Sequence, residues 1–294
     1  MYVHKRDDLE IMITTIGIIG SGTMGSGIAE VAALAHFDVV LHDVARSALT
    51  NATERIKQNL NRAVERDRIT AVEATEALYR IHASDDFHQL SSSDFIIEAA
   101  VESLSVKRDL FEKLDAMLAP EAILATNTSS LSITSIASTV KRPHSVVGMH
   151  FFNPPPLMKL VEVVAGKQTS PETLAATVEL AKKMGKTAVV CNDTPGFIVN
   201  RVARPFYGEA LRLLGEGIAS VEEIDRIVKL EGGFKMGPFE LMDLIGIDVN
   251  YAVTKSVYDQ FFQEPRFRPH PIQRQMVEAG TLGRKTKKGF YSYS

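Results

Sequence analysis

Two groups of residues in this chain have the types and spacing for chemistry. Gly20, Gly22 and Gly25 stand at G-x-G-x-x-G spacing directly after an apolar, β-branched run, Thr15 to Ile19. The first glycine allows a tight turn, the second lets a pyrophosphate approach the main chain, and the third lets a helix pack closely on the preceding strand. A helix starting there points unpaired N–H groups and its positive dipole end at the phosphates. About twenty residues further on, Asp43 stands where a carboxylate accepts a ribose hydroxyl and repels a 2′-phosphate, favouring NAD over NADP. The bland alternatives are a plain strand-to-helix turn and a solvated strand end. The order strand, glycines, helix, strand, acid favours the dinucleotide.

The second group is His150 with Glu162. Glu162 interrupts the apolar run Leu160 to Val164, and a carboxylate on such a strand needs a partner. His150 ends the run Val146 to His150, and a strand-turn-strand excursion across Asn153 to Pro156 can set the two side by side. A His–carboxylate pair is a general acid/base with a fixed tautomer, as hydride transfer from an alcohol requires. A hydrogen-bonded core histidine accounts for His150 equally well. Glu98 and Glu102, also on otherwise apolar stretches, add to the case for a polar pocket. Ser129 and Asn200 offer neutral donors able to hold a carbonyl or alkoxide oxygen. They serve equally as turn, capping or solvated helix residues. Periodicity and spacing do not choose between these roles.

The elements that must position these groups follow from the hydrophobic pattern. Strand signals at 15–19, 38–41, 94–97, 122–125, 146–150, 160–164 and 187–191 alternate with helical patterns at 28–35, 46–65, 105–118 and 171–184. The helix over 46–65 sets Leu49, Ile56, Leu60, Ala63 and Val64 on one face, with Arg55, Lys57 and Arg62 opposite. Thr70-x-x-Glu73 is a capping box that opens a further helix, so the pair forms a helical hairpin. After Asp193-Thr194-Pro195-Gly196 the pattern turns helical, at 197–214, from Ser220, at 239–245 and at 248–262, with one strand signal in the tail, 289–291. The expected fold is α/β: a Rossmann-type, mostly parallel sheet with a helical-hairpin insertion, followed by an all-helical C-terminal domain. The expected domains are 1–193, with residues 1–12 as an N-terminal arm, and 194–294.

Composition bounds the function. The chain has 294 residues, 45% hydrophobic and 23% charged, with a formal net charge of -3. That is an ordinary globular composition, long enough for two domains, and without the basic excess of a nucleic-acid-binding protein. No apolar run approaches the ~20 residues of a membrane span. Residues 1–12 carry His4, Lys5, Arg6, Asp7, Asp8 and Glu10 and no apolar core, so they read as an arm rather than a leader. The single cysteine, Cys191, fits a reducing compartment, and its apolar surroundings favour packing over reactivity. A cytoplasmic location is expected.

The motifs Gly17-Ile18-Ile19-Gly20-Ser21-Gly22-Thr23-Met24-Gly25, Glu98-Ala99-Ala100-Val101-Glu102, Asn127-Thr128-Ser129-Ser130 and His150-Phe151-Phe152-Asn153-Pro154 occur in that order. With Met158-Lys159-Leu160-Val161-Glu162-Val163, Asp193-Thr194-Pro195-Gly196-Phe197-Ile198-Val199-Asn200-Arg201 and Met236-Gly237-Pro238-Phe239-Glu240-Leu241, they resemble the L-3-hydroxyacyl-CoA dehydrogenases, most closely the bacterial 3-hydroxybutyryl-CoA type. The resemblance runs from about Ile13 to Tyr293, and at 294 residues a stand-alone form is expected rather than the fused hydratase-dehydrogenase. It implies catalysis by His150 and Glu162, substrate-oxygen contacts from Ser129 and Asn200, and a nicotinamide end beside Glu102 and Lys107. The NAD-binding positions it implies are Gly20, Gly22, Thr23, Met24, Gly25, Asp43, Glu102, Lys107, Asn127, Ser129 and Asn153; no metal is implied. It further implies an acyl-CoA substrate, coenzyme A phosphates near the basic helix face of Arg46 to Arg68, and dimerisation through the helical domain. Phe206, Tyr207, Leu211 and Leu214 are candidates for that interface and equally for the core.

The implied reaction is the reversible oxidation of a short-chain L-3-hydroxyacyl-CoA, 3-hydroxybutyryl-CoA first, to the 3-ketoacyl-CoA. One rival is a 3-hydroxyadipyl-CoA dehydrogenase, whose substrate has a distal carboxylate needing a cation, with Lys235 a candidate. Another is a non-catalytic NAD-binding protein of the same fold, against which the complete set His150, Glu162, Ser129 and Asn200 argues. A dehydrogenase of free hydroxy acids would carry a lysine where Asn200 stands.

Overall fold

The computed structural model describes residues 13–294, so the arm expected at residues 1–12 lies outside the described residues. The chain divides into two compact units, the first ending at Asp193 and the second beginning at Thr194.

The first unit runs β1 (Thr15–Ile19), α1 (Thr23–Leu34), β2 (Asp38–His42), α2 (Arg46–Glu65), α3 (Ala71–Tyr79), β3 (Ile81–Ser84), β4 (Phe95–Glu98), α4 (Leu104–Met117) and β5 (Ile123–Thr126). It continues through α5 (Ile133–Ala137), β6 (Val146–Phe151), β7 (Leu160–Ala165), α6 (Pro171–Lys183) and β8 (Thr187–Asn192). The eight strands form one sheet in the order β3-β2-β1-β4-β5-β6-β7-β8. Every pairing is parallel except β6 with β7. Strand order reverses between β1 and β4, and the carboxyl ends of strands at such a switch point are where open α/β sheets bind ligands.

The helices form where the sequence supplies caps and an apolar stripe. Leu49, Ala52, Ile56 and Leu60 are the buried residues of α2, at helical spacing. The Thr70 hydroxyl accepts from the Glu73 amide while Glu73 accepts from Thr70 N, closing the capping box of α3, worth about 1 kcal/mol. Ser170 caps α6, with Pro171 at its first position, where a missing N–H costs nothing. The core joins β1, β2 and β4–β7 to α1–α3 and α6, with Ile16, Ile18, Leu41, Phe95 and Phe151 among its buried members.

The second unit is helical: α7 (Val199–Gly215), α8 (Val221–Leu230), α9 (Pro238–Ile245), α10 (Ile247–Gln260) and α11 (Pro271–Glu278). Its core holds Tyr207, Ala210, Leu211, Ile224, Phe239 and Met242, with Phe206 and Leu214 packed against it. Of the four residues offered for an interface or the core, Tyr207 and Leu211 are buried here and Phe206 and Leu214 half-buried against them. Buried Asp225 accepts from the amides of Phe239 and Glu240 at the start of α9 and from the Tyr291 hydroxyl. Buried Asp243 accepts from the amides of Phe290 and Tyr291 and the Tyr293 hydroxyl.

The structure refines the expected elements in several places. The helix expected to start at the glycine turn does so at Thr23, and the small-residue stretch read at 28–35 is its second half. β3, α5 and α11 carried no clear periodic signal; β3 is a half-exposed strand at one sheet edge. Arg55 does not lie opposite the apolar face of α2, because its guanidinium turns inward to the Ser26 hydroxyl (3.0 Å). The tail forms only the isolated bridges Gly283–Lys288 and Lys288–Ser292, since Asp243 takes the amides a strand would use.

Candidate active site

At the carboxyl end of β1 the chain turns through Gly20, whose φ of +92° favours a residue without Cβ. A Cβ on Gly25 would stand 1.7 Å from the Gly20 carbonyl oxygen, so this contact sets how closely α1 meets the turn. A Cβ on Gly22 would meet nothing within 4 Å. Gly22 is also the N-cap of α1 and supplies no side-chain acceptor. The helix therefore begins with uncapped amides facing open space, with Thr23, Met24 and Gly25 as its first residues. That cradle fits a pyrophosphate.

Asp43 closes the same turn. Its Oδ2 accepts from the amide and hydroxyl of Ser21 (both 2.8 Å) and its Oδ1 from the Ala45 amide (3.1 Å). Partial burial works against its charge, but these hydrogen bonds and nearby His42 outweigh it and hold the pKa below 3.8. An ionised carboxylate pinned beside the glycine turn is suited to a ribose hydroxyl and opposed to a phosphate.

The antiparallel register of β6 and β7 sets His150 directly opposite Glu162. His150 Nδ1 and Glu162 Oε2 are 2.8 Å apart, with the residues 6% and 1% exposed. Met149, Phe151, Val161 and Val163 point into the core on the other face, so strand alternation directs the polar pair away from it. The Phe152 ring lies 4.5 Å from the His150 ring.

A buried cation organises the neighbouring strand ends. Lys107 of α4 is 1% exposed and bridges Glu98 (2.7 Å) and Glu102 (3.3 Å). Glu98, wholly buried at the end of β4, also accepts from the Ala100 amide and the Thr126 hydroxyl, both at 2.7 Å. Glu102 gathers the loop after β5, accepting from the Thr128 and Ser130 hydroxyls and the Ser129 amide. Asn127 Oδ1 accepts from the Phe151 amide (2.8 Å), tying that loop to the end of β6. Glu102, Asn127 and Ser129 thus share one network, in which Lys107 acts as a buried support.

Asn153 is exposed on the loop from β6 to β7. Lys186 holds that loop from below: its ammonium donates to the Pro155 carbonyl (2.6 Å) and the Met158 carbonyl (3.0 Å). Glu30 of α1 is buried near Lys186 and accepts from Asn59 Nδ2 (3.0 Å). Burial pushes the Glu30 pKa up to about 7, against the pull of Asn59 and Lys186. Burial lowers that of Lys186, which Glu30 partly offsets. Sequence reasoning missed Lys186, Glu30, Thr126 and Thr128. A lone lysine before an apolar strand and a glutamate in a small-residue helix were the available signals.

Asn200 lies in the first turn of α7, in the second unit, and its main-chain carbonyl accepts from Arg204 Nε (3.1 Å). Of the hairpin bases, Arg46 pairs with Asp85 and Arg55 bonds Ser26, while Lys57, Arg62, Arg66 and Arg68 are exposed. Among the described residues no helix is long and apolar enough to cross a membrane.

Family models described as "3-hydroxyacyl-CoA dehydrogenase, NAD binding domain" and "3-hydroxyacyl-CoA dehydrogenase, C-terminal domain" match residues 15–194 and 196–293. A 3-hydroxyadipyl-CoA dehydrogenase of Escherichia coli K12 is 50% identical over 283 residues, covering 96% of this chain; the chain spans 60% of that relative's length. A probable 3-hydroxybutyryl-CoA dehydrogenase of Deinococcus radiodurans is 45% identical, with 94% of this chain and 99% of the relative covered. The crystal structure of an (S)-3-hydroxybutyryl-CoA dehydrogenase from Ralstonia eutropha superposes with a TM-score of 0.92 at 41% identity, covering 96% of this chain and all of the other.

Proposed function

Because the chain belongs to the 3-hydroxyacyl-CoA dehydrogenase family, we propose that it catalyses the reversible, NAD-dependent oxidation of an L-3-hydroxyacyl-CoA to the 3-ketoacyl-CoA, with 3-hydroxybutyryl-CoA as the reference substrate. The observation that carries this reading is the His150–Glu162 pair, 2.8 Å apart and almost wholly buried. Bound NAD supplies the hydride acceptor. With Nδ1 engaged by Glu162, His150 takes the 3-hydroxyl proton on Nε2, and Glu162 stabilises the imidazolium that results. In the reductive direction His150 returns that proton. Ser129 and Asn200 hold the reacting oxygen as neutral donors, and Glu102 keeps the Ser129 loop in place. The uncapped start of α1 and the carboxylate of Asp43 bind the dinucleotide.

A homodimer built on the helical unit belongs to the same reading. Val202, Ile218, Ile227, Leu230 and Phe262 are between 61% and 96% exposed there, and sedimentation velocity tests it. The single Cys191 suits a reducing, cytoplasmic setting.

The test is a double-mutant cycle with acetoacetyl-CoA and NADH. His150→Gln keeps a hydrogen-bonding side chain but exchanges no proton near neutral pH, so turnover falls by about 10²–10⁴-fold while NADH binding persists. Glu162→Gln slows turnover as well. If the two act as one unit, the double variant is scarcely slower than His150→Gln. A His150→Gln enzyme with wild-type turnover refutes the proposed mechanism.

A further inference from the structure

Arg204 stands one helical turn beyond Asn200 on α7 and is 4% exposed. Its Nε donates to the Asn200 carbonyl (3.1 Å), and its Nη1 to the Asn250 carbonyl (2.9 Å) and the Thr254 hydroxyl (2.8 Å). All three acceptors are neutral, and the guanidinium carbon lies 5.0 Å from the centre of the Tyr207 ring. The ion pairs of this unit are made by Arg212, Lys229, Lys255, Arg266, Arg274 and Lys285 instead. Burial pushes the Arg204 pKa down to about 10, so the group remains charged at neutral pH. Moving an ion out of water costs several kcal/mol, and proteins ordinarily offset that cost with a counter-charge.

Two donors at this place lack acceptors. Arg204 Nη2 bonds to none of the described residues and is not sealed from solvent. The side-chain Nδ2 of Asn250, the residue whose carbonyl Arg204 bonds, is buried without a partner. An acceptor-only, negatively charged group answers the need of the guanidinium, and a carboxylate is one; the Asn250 carboxamide is turned to buried Gln273 instead. Lys235, the cation expected from the sequence to meet a distal carboxylate, is exposed on a loop before α9.

We propose that Arg204 is a specificity residue that receives the distal carboxylate of a dicarboxylic 3-hydroxyacyl-CoA. The proposal rests on the reading that Asn200 holds the reacting oxygen. Four residues of helix advance roughly 6 Å, comparable to the reach from the hydroxyl carbon to the far carboxylate of a six-carbon diacid. The far end of the acyl group, as well as its length, then decides which substrate is preferred.

The test compares kcat/KM for 3-hydroxyadipyl-CoA and 3-hydroxybutyryl-CoA in the wild type, Arg204→Gln and Arg204→Lys. The wild type favours the dicarboxylic substrate, and Arg204→Gln lowers the ratio of the two by about 10²–10³-fold, the usual scale for breaking a buried pair. Arg204→Lys keeps part of the ratio. An equal loss on both substrates overturns the proposal and makes Arg204 a structural residue. Should the variants not fold, the wild type still decides: adipyl-CoA must compete better than hexanoyl-CoA, whose coenzyme A is identical. Equal inhibition overturns the assignment. A wild type active on acetoacetyl-CoA without a dicarboxylic preference defeats Arg204 alone, whereas one inactive on every 3-ketoacyl-CoA defeats the dehydrogenase reading.

Discussion

Glu30→Gln should make the protein more stable above neutral pH, by an amount that the environment of Glu30 sets. The carboxyl is buried on α1, with Asn59 donating to it at 3.0 Å and Lys186 nearby. Its pKa is pushed from 4.5 to about 7. The native state therefore binds this proton more tightly than the unfolded chain does. The associated stability is complete below pH 4.5 and declines as pH rises to and through 7. At 1.36 kcal/mol per pH unit, the loss approaches about 3 kcal/mol by pH 8. Glutamine retains an oxygen for Asn59 and has no charge to bury. Urea unfolding of both proteins, followed by circular dichroism from pH 4 to pH 8, reads the effect, because the two chains differ in this one titrating group and in its pull on Lys186. The stability difference should grow in the variant's favour by about 3 kcal/mol across that range. A difference independent of pH would refute the argument and place the Glu30 carboxyl in an environment as polar as water.

Two further outcomes follow from groups near the site. Asp43→Ser should narrow the preference for NADH over NADPH in a fluorescence titration, since it removes the pinned charge that repels a 2′-phosphate; a wild type binding both equally would contradict that role. Burial, with the carboxylates of Glu162 and Asp193, pushes the Cys191 thiol up to about 12. Because the thiolate is the reactive form, iodoacetamide should spare Cys191 in the native protein at pH 8 and label it in urea. Rapid native labelling would show an accessible, ionised thiol.

The sequence disclosed those features whose cause is local. β1 runs from Thr15 to Ile19 as its β-branched composition implies, and α2 occupies Arg46–Glu65 as its apolar stripe implies. Glu162 betrayed its partner because an acid in an apolar strand has few alternatives. Groups whose partners are main-chain atoms stayed hidden. Lys186 is anchored by two carbonyls and Arg204 by two carbonyls and a hydroxyl, and no residue type signals where a carbonyl will point. Arg55 misled for a related reason: a helical wheel gives the direction of a Cβ, while a long side chain can curl back to Ser26.

The pairing of β6 with β7 ties the His150–Glu162 contact to the register of the sheet and leaves the connecting loop free of that requirement. His150 meets Glu162 because both strands alternate with period two and their other faces are committed to the core at Met149, Phe151, Val161 and Val163. A slip by one residue would turn Glu162 into the aliphatic core and set a valine opposite His150, so the packing of the sheet alone holds the two side chains together. The connecting loop from Asn153 to Lys159 carries no such parity constraint. What holds it is the Lys186 ammonium, which donates to the Pro155 and Met158 carbonyls. The contact between His150 and Glu162 is thus tied to the packing of the sheet, whereas the loop that joins their strands is held at two main-chain carbonyls by one lysine.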